Sequence, residues 1–158
     1  MKIAQVYGSN NQTLKNKIIN FWIEQKCLSE EEAKIRIEEA LCALLDDDNN
    51  VIAISSGKVM WVDQLRDNFL YYRSYTKPEW RNQDLSVLLL KLSKEFLTQN
   101  RIINSIEVKG IYIIYESEIL NKNVDDFVRY SGLTLIGWTE KNQQIRVLYL
   151  DGAKIDMK

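Results

Sequence analysis

The stretch from Asn68 to Leu97 constrains the fold of this chain more than any other. Phe69, Leu70, Tyr71, Tyr72 and Tyr75 favour an extended backbone. Lys77-Pro78-Glu79-Trp80-Arg81-Asn82-Gln83-Asp84 then reads as a polar turn, and it holds the only proline in the chain. Leu85, Leu88, Leu89, Leu92 and Phe96 follow on one face at helical spacing. A strand that feeds a helix through a short turn leaves the first amides of that helix without backbone partners. Such amides attract anions, phosphate among them.

The other segments are placed around this unit. Lys2 to Tyr7 alternates apolar and polar and predicts a first strand, broken by Gly8-Ser9-Asn10-Asn11. Leu14, Ile18, Phe21 and Trp22 mark a helix with Thr13 as its cap. Ser29 and Glu32 form a capping box, which opens a second helix that buries Ala33, Ile37, Ala40, Leu41 and Leu44 and ends at Asp46-Asp47-Asp48-Asn49-Asn50. That acidic run lacks the glycine and distal glutamate of a calcium loop and reads as a solvated turn. Val51-Ile52-Ala53-Ile54 and Val59-Met60-Trp61-Val62 predict two strands around a turn at Ser55-Ser56-Gly57-Lys58, which with the aromatic strand would make an antiparallel meander. Ile102 to Tyr115 is strand-rich but interrupted at Gly110. Asn121 to Ser131 reads as a short helix, with Val124, Phe127 and Val128 inward, closed by Gly132. Leu133 to Trp138 and Ile145 to Leu150 form a last hairpin. This order predicts one α/β (α+β) domain over residues 1–158.

Several function classes drop out on composition. The formal net charge is −1 with no basic stripe, so nucleic acid is not the expected partner. No apolar run approaches the roughly 20 residues of a membrane helix, and the N-terminus does not read as a signal peptide. Cys27 and Cys42 have neither metal nor redox spacing and read as reduced thiols of a cytoplasmic protein. With no histidine, the usual Ser-His-Asp and Cys-His catalysis and His-ligated metal sites are excluded. No metal is expected, and proton transfer must rest on Asp, Glu, Tyr, Lys, Cys or water.

The element order and two segments resemble the GNAT (Gcn5-related N-acetyltransferase) superfamily. In that family the turn after the fourth strand reads approximately as Pro, two residues, Arg or Gln, two residues, Gly, one residue, then Gly or Ala. Here Pro78 and Arg81 fit, Asp84 stands at the middle glycine, and Ser86 takes the last small position. The second segment runs from Asn121 to Leu133, where Asn121, Val124, Gly132 and Leu133 line up. The resemblance implies the acyl-CoA N-acyltransferase fold: a mixed, mostly antiparallel sheet of six or seven strands with helices on both faces. It implies acetyl-CoA or another acyl-CoA as co-substrate and an amine acceptor of unknown identity. Assembly as a homodimer is left open. The coenzyme would meet Tyr75, Thr76, Arg81, Asn82, Gln83, Asp84, Leu85, Ser86 and Asn121, with the amine attacking the thioester directly and an amide facing the developing oxyanion.

Two departures bear on activity. A carboxylate at Asp84 about 5 Å from a phosphate would repel it by roughly 3 kcal/mol at an effective dielectric near 20, and Asp84 can instead cap the helix. Val128 occupies the place of the family's proton-donating tyrosine. Tyr130, two residues on, would face elsewhere on a helix. No catalytic residue is assigned: Glu116 and Glu118 are candidate bases, and Tyr71, Tyr72, Arg73 and Tyr75 candidate liners of an acceptor groove. The alternative to an N-acyltransferase is an inactive binding or scaffold protein of the same fold that has lost tight coenzyme binding.

Overall fold

The computed structural model describes residues 1–122 and 124–155, apart from the Asn82 side chain. β1 (Lys2–Gln5) leads into α1 (Gln12–Glu24) and α2 (Glu30–Arg36), and a 3-10 turn at Ile37–Glu39 opens β2 (Ala40–Leu45). Two long strands follow, β3 (Val51–Val62) and β4 (Asp67–Thr76), then a 3-10 segment (Pro78–Gln83) and α3 (Leu85–Gln99). The remainder comprises β5 (Ile102–Ile103), β6 (Ile106–Glu107), β7 (Gly110–Ile114), α4 (Glu118–Asn121), β8 (Phe127–Val128), β9 (Leu133–Trp138) and β10 (Gln144–Tyr149). The strands form an eight-stranded sheet in the order β1-β2-β3-β4-β7-β10-β9-β8, with β5 and β6 paired separately. The β4/β7 ladder is parallel, while the pairs β1/β2, β2/β3, β7/β10, β9/β10 and β8/β9 are antiparallel.

The chain clusters into two compact units, residues 1–57 with 73–93 and residues 58–72 with 94–158. In the first, α1 buries Leu14, Ile18, Phe21 and Trp22, the four residues whose spacing predicts the helix. They pack with Ala33, Ile37, Val6, Val51 and Ile54. Burying each large side chain contributes about 1.5–3 kcal/mol before the entropy of ordering is counted. The α1 cap is Asn11, whose carboxamide accepts from the Leu14 N–H, and not Thr13. The capping box at Ser29 and Glu32 is present in both directions. In the second unit, Val62, Phe69 and Val147 are the buried centre of a smaller cluster.

Four predicted elements differ. The second helix stops at Arg36, and Ala40–Leu45 is a strand. All six of its residues are buried, and such a run has no period that separates strand from helix; pairing with β1 and β3 decides it. The turn at Ser55–Lys58 does not exist: β3 runs straight through it. The buried Ser55 hydroxyl is satisfied by the Cys42 backbone N and O, both at 3.2 Å, and by Ser93 Oγ at 3.0 Å. Asn121 to Ser131 is not a helix, since α4 ends at Asn121 and β8 pairs with β9. Val128 is inward there, but Val124 and Phe127 are exposed, and Asn123 lies outside the described residues. Finally, the sheet has eight strands, not six or seven, because β2 and β8 join it while the two strands predicted around Ser55–Lys58 are the single β3.

Candidate functional site

In the first unit the organising turn is built from β4 outward. The Lys77 N–H donates to the Ile52 carbonyl at 2.9 Å and fixes the strand end. Pro78 opens the 3-10 segment, where its fixed φ suits a helical start and its missing N–H is not needed. The Trp80 N–H closes on the Lys77 carbonyl at 2.9 Å. Arg81 folds back: its Nε donates to the Thr76 carbonyl at 3.1 Å, and its guanidinium carbon lies 5.3 Å from the centre of the Tyr75 ring. Tyr75 also meets Phe21 edge-on, with centroids 5.9 Å apart.

Cys27 completes this group. Burial pushes its thiol pKa up, against the opposing effects of a hydrogen bond with Tyr75 and the guanidiniums of Arg81 and Arg36. Burial likewise pushes the Tyr75 phenol up, with Cys27 adding to the shift and Arg81 opposing it. Both groups are therefore neutral at ordinary pH. Sequence reasoning reads Cys27 as a core thiol, and no spacing signal links residue 27 to residue 75.

Asp84 carries the turn into α3 with φ +53° and ψ +24°, the left-handed conformation. Its carbonyl accepts the first helical bond, from the Leu88 N–H at 3.1 Å. Capping residues use β-region dihedrals, so the predicted cap geometry at Asp84 is not the one adopted. A glycine reaches the left-handed region without cost, and aspartate is among the few other residues that enter it readily. Ahead of Leu88, the amides of Leu85, Ser86 and Val87 have no intrahelical acceptor. Leu85 is buried, while Gln83, Asp84 and Ser86 are exposed. Thr76 is 8% exposed, and its Oγ1 has no hydrogen-bond partner among the described residues. The fold thus brings Tyr75, Thr76 and Arg81 into contact and strings Gln83 to Ser86 along the helix start. The Asn82 side chain lies outside the described residues.

In the second unit Asn121 is tied inward. Its Nδ2 donates to the carbonyls of Tyr115 and Ser117 at 2.5 and 3.0 Å, and its Oδ1 accepts from the Gln144 N–H at 2.8 Å. Gln144 Nε2 donates to the Asn121 carbonyl at 3.1 Å. The neighbouring Arg146, fully buried, donates from Nε to Gln144 Oε1 at 2.8 Å and from Nη2 to the Asp125 carbonyl at 2.7 Å, and lies over the Tyr115 ring at 5.3 Å. Both functional ends of the Asn121 carboxamide hold the chain between β7 and β10. Sequence reading places a coenzyme contact there, and nothing in the local pattern points to Arg146.

The remaining candidates separate. Val128 is buried in β8, and Tyr130 is 72% exposed. Glu116 and Glu118 are exposed. Tyr72 is buried, Arg73 pairs with Glu39, and Tyr71 meets Tyr112. Among the described residues no group of acidic, cysteine or histidine side chains is arranged to hold a metal, and no helix is long and apolar enough to cross a membrane.

No protein-family model matches the sequence, and no curated protein matches it. Solved structures do. The ribosomal-protein-S5-alanine acetyltransferase of Vibrio fischeri is similar with a TM-score of 0.66 at 10% identity, over 96% of this chain and 94% of that one. A GNAT superfamily phosphinothricin acetyltransferase from Sinorhizobium meliloti, solved with AcCoA, has a TM-score of 0.64 at 13% identity, over 99% and 93%. The GNAT family N-acetyltransferase YhbS of Escherichia coli, solved with CoA, has a TM-score of 0.62 at 14% identity, over 97% and 86%. The chain has the fold of the GNAT acetyltransferases, a mixed α/β architecture with a large, mostly antiparallel sheet.

Proposed function

We propose that this chain, acting as one domain over residues 1–158, is an acyl-CoA-dependent N-acyltransferase that moves an acyl group, acetyl first, to an amine in the cytoplasm. The observation that carries the reading is the left-handed Asp84 opening α3. Glycine, the residue at this place in the motif the turn resembles, enters that conformation without cost, and the Leu85, Ser86 and Val87 amides that follow have no intrahelical acceptor and would be available to an anion. The orphaned Thr76 Oγ1 fits a polar ligand group at the strand end.

Bound acyl-CoA would supply an activated thioester carbonyl. The amides of the first α3 turn would take its diphosphate, helped by the positive end of the helix dipole. Arg81 is a positioning residue, since it braces the turn through the Thr76 carbonyl and the Tyr75 ring. Tyr75 and Thr76 would line the arm, and a backbone amide at the strand end would face the oxygen on which charge develops. Gln83 and Ser86 are exposed beside the diphosphate position. Asn121 would act by fixing the end of β7. The amine would attack the thioester carbonyl and lose its proton to water, the C–S bond would break, and the departing CoA thiolate would take a proton from water.

Calorimetric titration with acetyl-CoA tests this. A saturable heat that free CoA competes away is expected; no heat at millimolar coenzyme would refute it. A second reading, an inactive binding module of the same fold, is favoured by Val128, which has no proton to give and is buried in β8. Steady turnover on an amine panel would end that reading.

A further inference from the structure

We infer that Phe21 of α1 is a positioning residue for the turn at residues 77–84: acting through the Tyr75 ring, it holds Arg81 in its seat and so sets how well the turn is ordered for the coenzyme. The inference rests on the acyl-transfer reading only in naming acyl-CoA as the ligand of that turn.

The turn has little burial of its own. Between Thr76 and Leu85 none of the described side chains is buried, and no side chain caps the 3-10 segment at Lys77. Backbone bonds from the Lys77 and Trp80 N–H groups hold its first half. Arg81 ties its second half back to the strand, with Nε on the Thr76 carbonyl at 3.1 Å and the guanidinium carbon 5.3 Å from the Tyr75 ring centre. Arg81 is itself exposed. An exposed arginine keeps one conformation only while its planar fork is seated, because the free side chain has many rotamers to return to.

The seat is fixed from the core. Phe21 is 4% exposed and belongs to the cluster that α1 buries, and Tyr75 packs half-buried against that cluster. The two rings meet edge to face, with centroids 5.9 Å apart and planes at 68°, the geometry in which ring edge and ring face attract. Burial pushes the Tyr75 phenol pKa up, so the ring stays neutral at ordinary pH and its face can hold the Arg81 cation. Order therefore passes outward, from a side chain locked in the core, through a half-buried ring, to an exposed guanidinium. Without the Phe21 ring Tyr75 gains room to turn, and Arg81 and the turn loosen with it.

Amide hydrogen exchange in the coenzyme-free protein, read by NMR, tests this. The Trp80 N–H, on the Lys77 carbonyl, reports the turn, and the Thr139 N–H, on the Gln143 carbonyl at 2.9 Å, reports general loosening. Phe21→Leu keeps an apolar side chain in α1 and removes the ring. Exchange at Trp80 should then rise about two- to tenfold relative to Thr139. In a Tyr75→Leu background the same change should add nothing at Trp80, because the route through the ring is already cut, although it should still lower the melting temperature. By calorimetry, acetyl-CoA should bind Phe21→Leu about two- to tenfold more weakly than the unmodified protein. An unchanged Trp80 rate in folded Phe21→Leu, an equal rise in both backgrounds, or acetyl-CoA affinity that holds while Trp80 loosens overturns the inference. Should Phe21→Leu not fold, nuclear Overhauser contacts from the Tyr75 ring of the unmodified protein to the Phe21 ring and the Arg81 side chain decide instead, and the absence of either overturns it. No acetyl-CoA heat from the unmodified protein, with the Trp80 effect present, would remove the acyl-transfer reading and leave the coupling of α1 to the turn standing. Saturable acetyl-CoA binding that Phe21→Leu leaves unchanged, with Trp80 steady, would do the reverse.

Discussion

Replacing Gly110 by alanine should be among the most damaging single-methyl additions available in this chain. Gly110 opens β7 and is paired on both sides, with Phe69 in parallel and Tyr149 in antiparallel register. A Cβ at this position would fall on the Leu148 carbonyl oxygen and 2.8 Å from a Phe69 ring carbon. The ring can turn away at some cost, but the carbonyl is backbone and belongs to β10. Relief therefore needs β7 and β10 to part. Overpacking costs about 1–3 kcal/mol where side chains can adjust, and the upper end applies where they cannot. For a chain of this size about 3 kcal/mol lowers the melting temperature by roughly 6–12 °C. Differential scanning calorimetry of Gly110→Ala against the unmodified protein measures this. Gly137→Ala is the control, because its Cβ would meet only the end of Gln64, at 3.8 Å. Adding Phe69→Leu to Gly110→Ala should not restore stability, since the carbonyl remains. A Gly110→Ala protein that melts within 2 °C of the original, or a full rescue by Phe69→Leu, would refute the close approach of these strands.

Four further outcomes are expected. Asp84→Asn and Asp84→Gly both keep a left-handed turn and remove its charge, so acetyl-CoA should bind about tenfold to a hundredfold more tightly by calorimetry, nearer the lower figure if water screens the exposed carboxylate. Improvement in the Gly variant alone would point to the backbone and not the charge. Asn121→Ala strands the Gln144 N–H and the Tyr115 and Ser117 carbonyls, and should lose about 1–3 kcal/mol in urea unfolding; no measurable loss would mean the ties are idle. Ser29→Ala removes the hydroxyl that accepts from the Glu32 N–H while leaving the Ser29 backbone N–H on the Glu32 carboxylate, and should cost about 1 kcal/mol by the same assay. Burial raises the pKa of the Cys42 thiol and of the Tyr112, Tyr115 and Tyr149 phenols, so the folded chain keeps protons that the unfolded chain gives up. Stability from these groups is complete below about pH 7.5 and falls as pH rises through the ordinary thiol pKa of about 8.5 and then the phenol pKa of about 10; a melting temperature constant from pH 8 to pH 11 would contradict this.

Elements whose reasons are local were readable from the residues. The α1 face of Leu14, Ile18, Phe21 and Trp22 repeats at helical spacing, and those are the residues it buries. Pro78 and the polar run after it mark the turn between β4 and α3, and the β9/β10 hairpin follows from two apolar runs and a polar gap. The α3 face was less well placed: Leu88, Leu92 and Phe96 are only half-buried, and the most buried line runs through Leu85, Leu89, Ser93 and Leu97. A buried serine at the centre of that line carries no hydrophobic signal.

What tertiary structure alone decided involves partners far along the chain. Ala40–Leu45 is apolar on every side and became a strand because β1 and β3 flank it. Ser55 looks like a turn residue until the Cys42 backbone and Ser93 receive its hydroxyl. Asn121 resembles a ligand contact, yet its carboxamide is taken up by Tyr115, Ser117 and Gln144. Residue type and spacing encode which face of a segment prefers water. Which distant backbone will satisfy a given polar group is settled only when the chain closes on itself, because an unpaired buried donor or acceptor is too costly to keep.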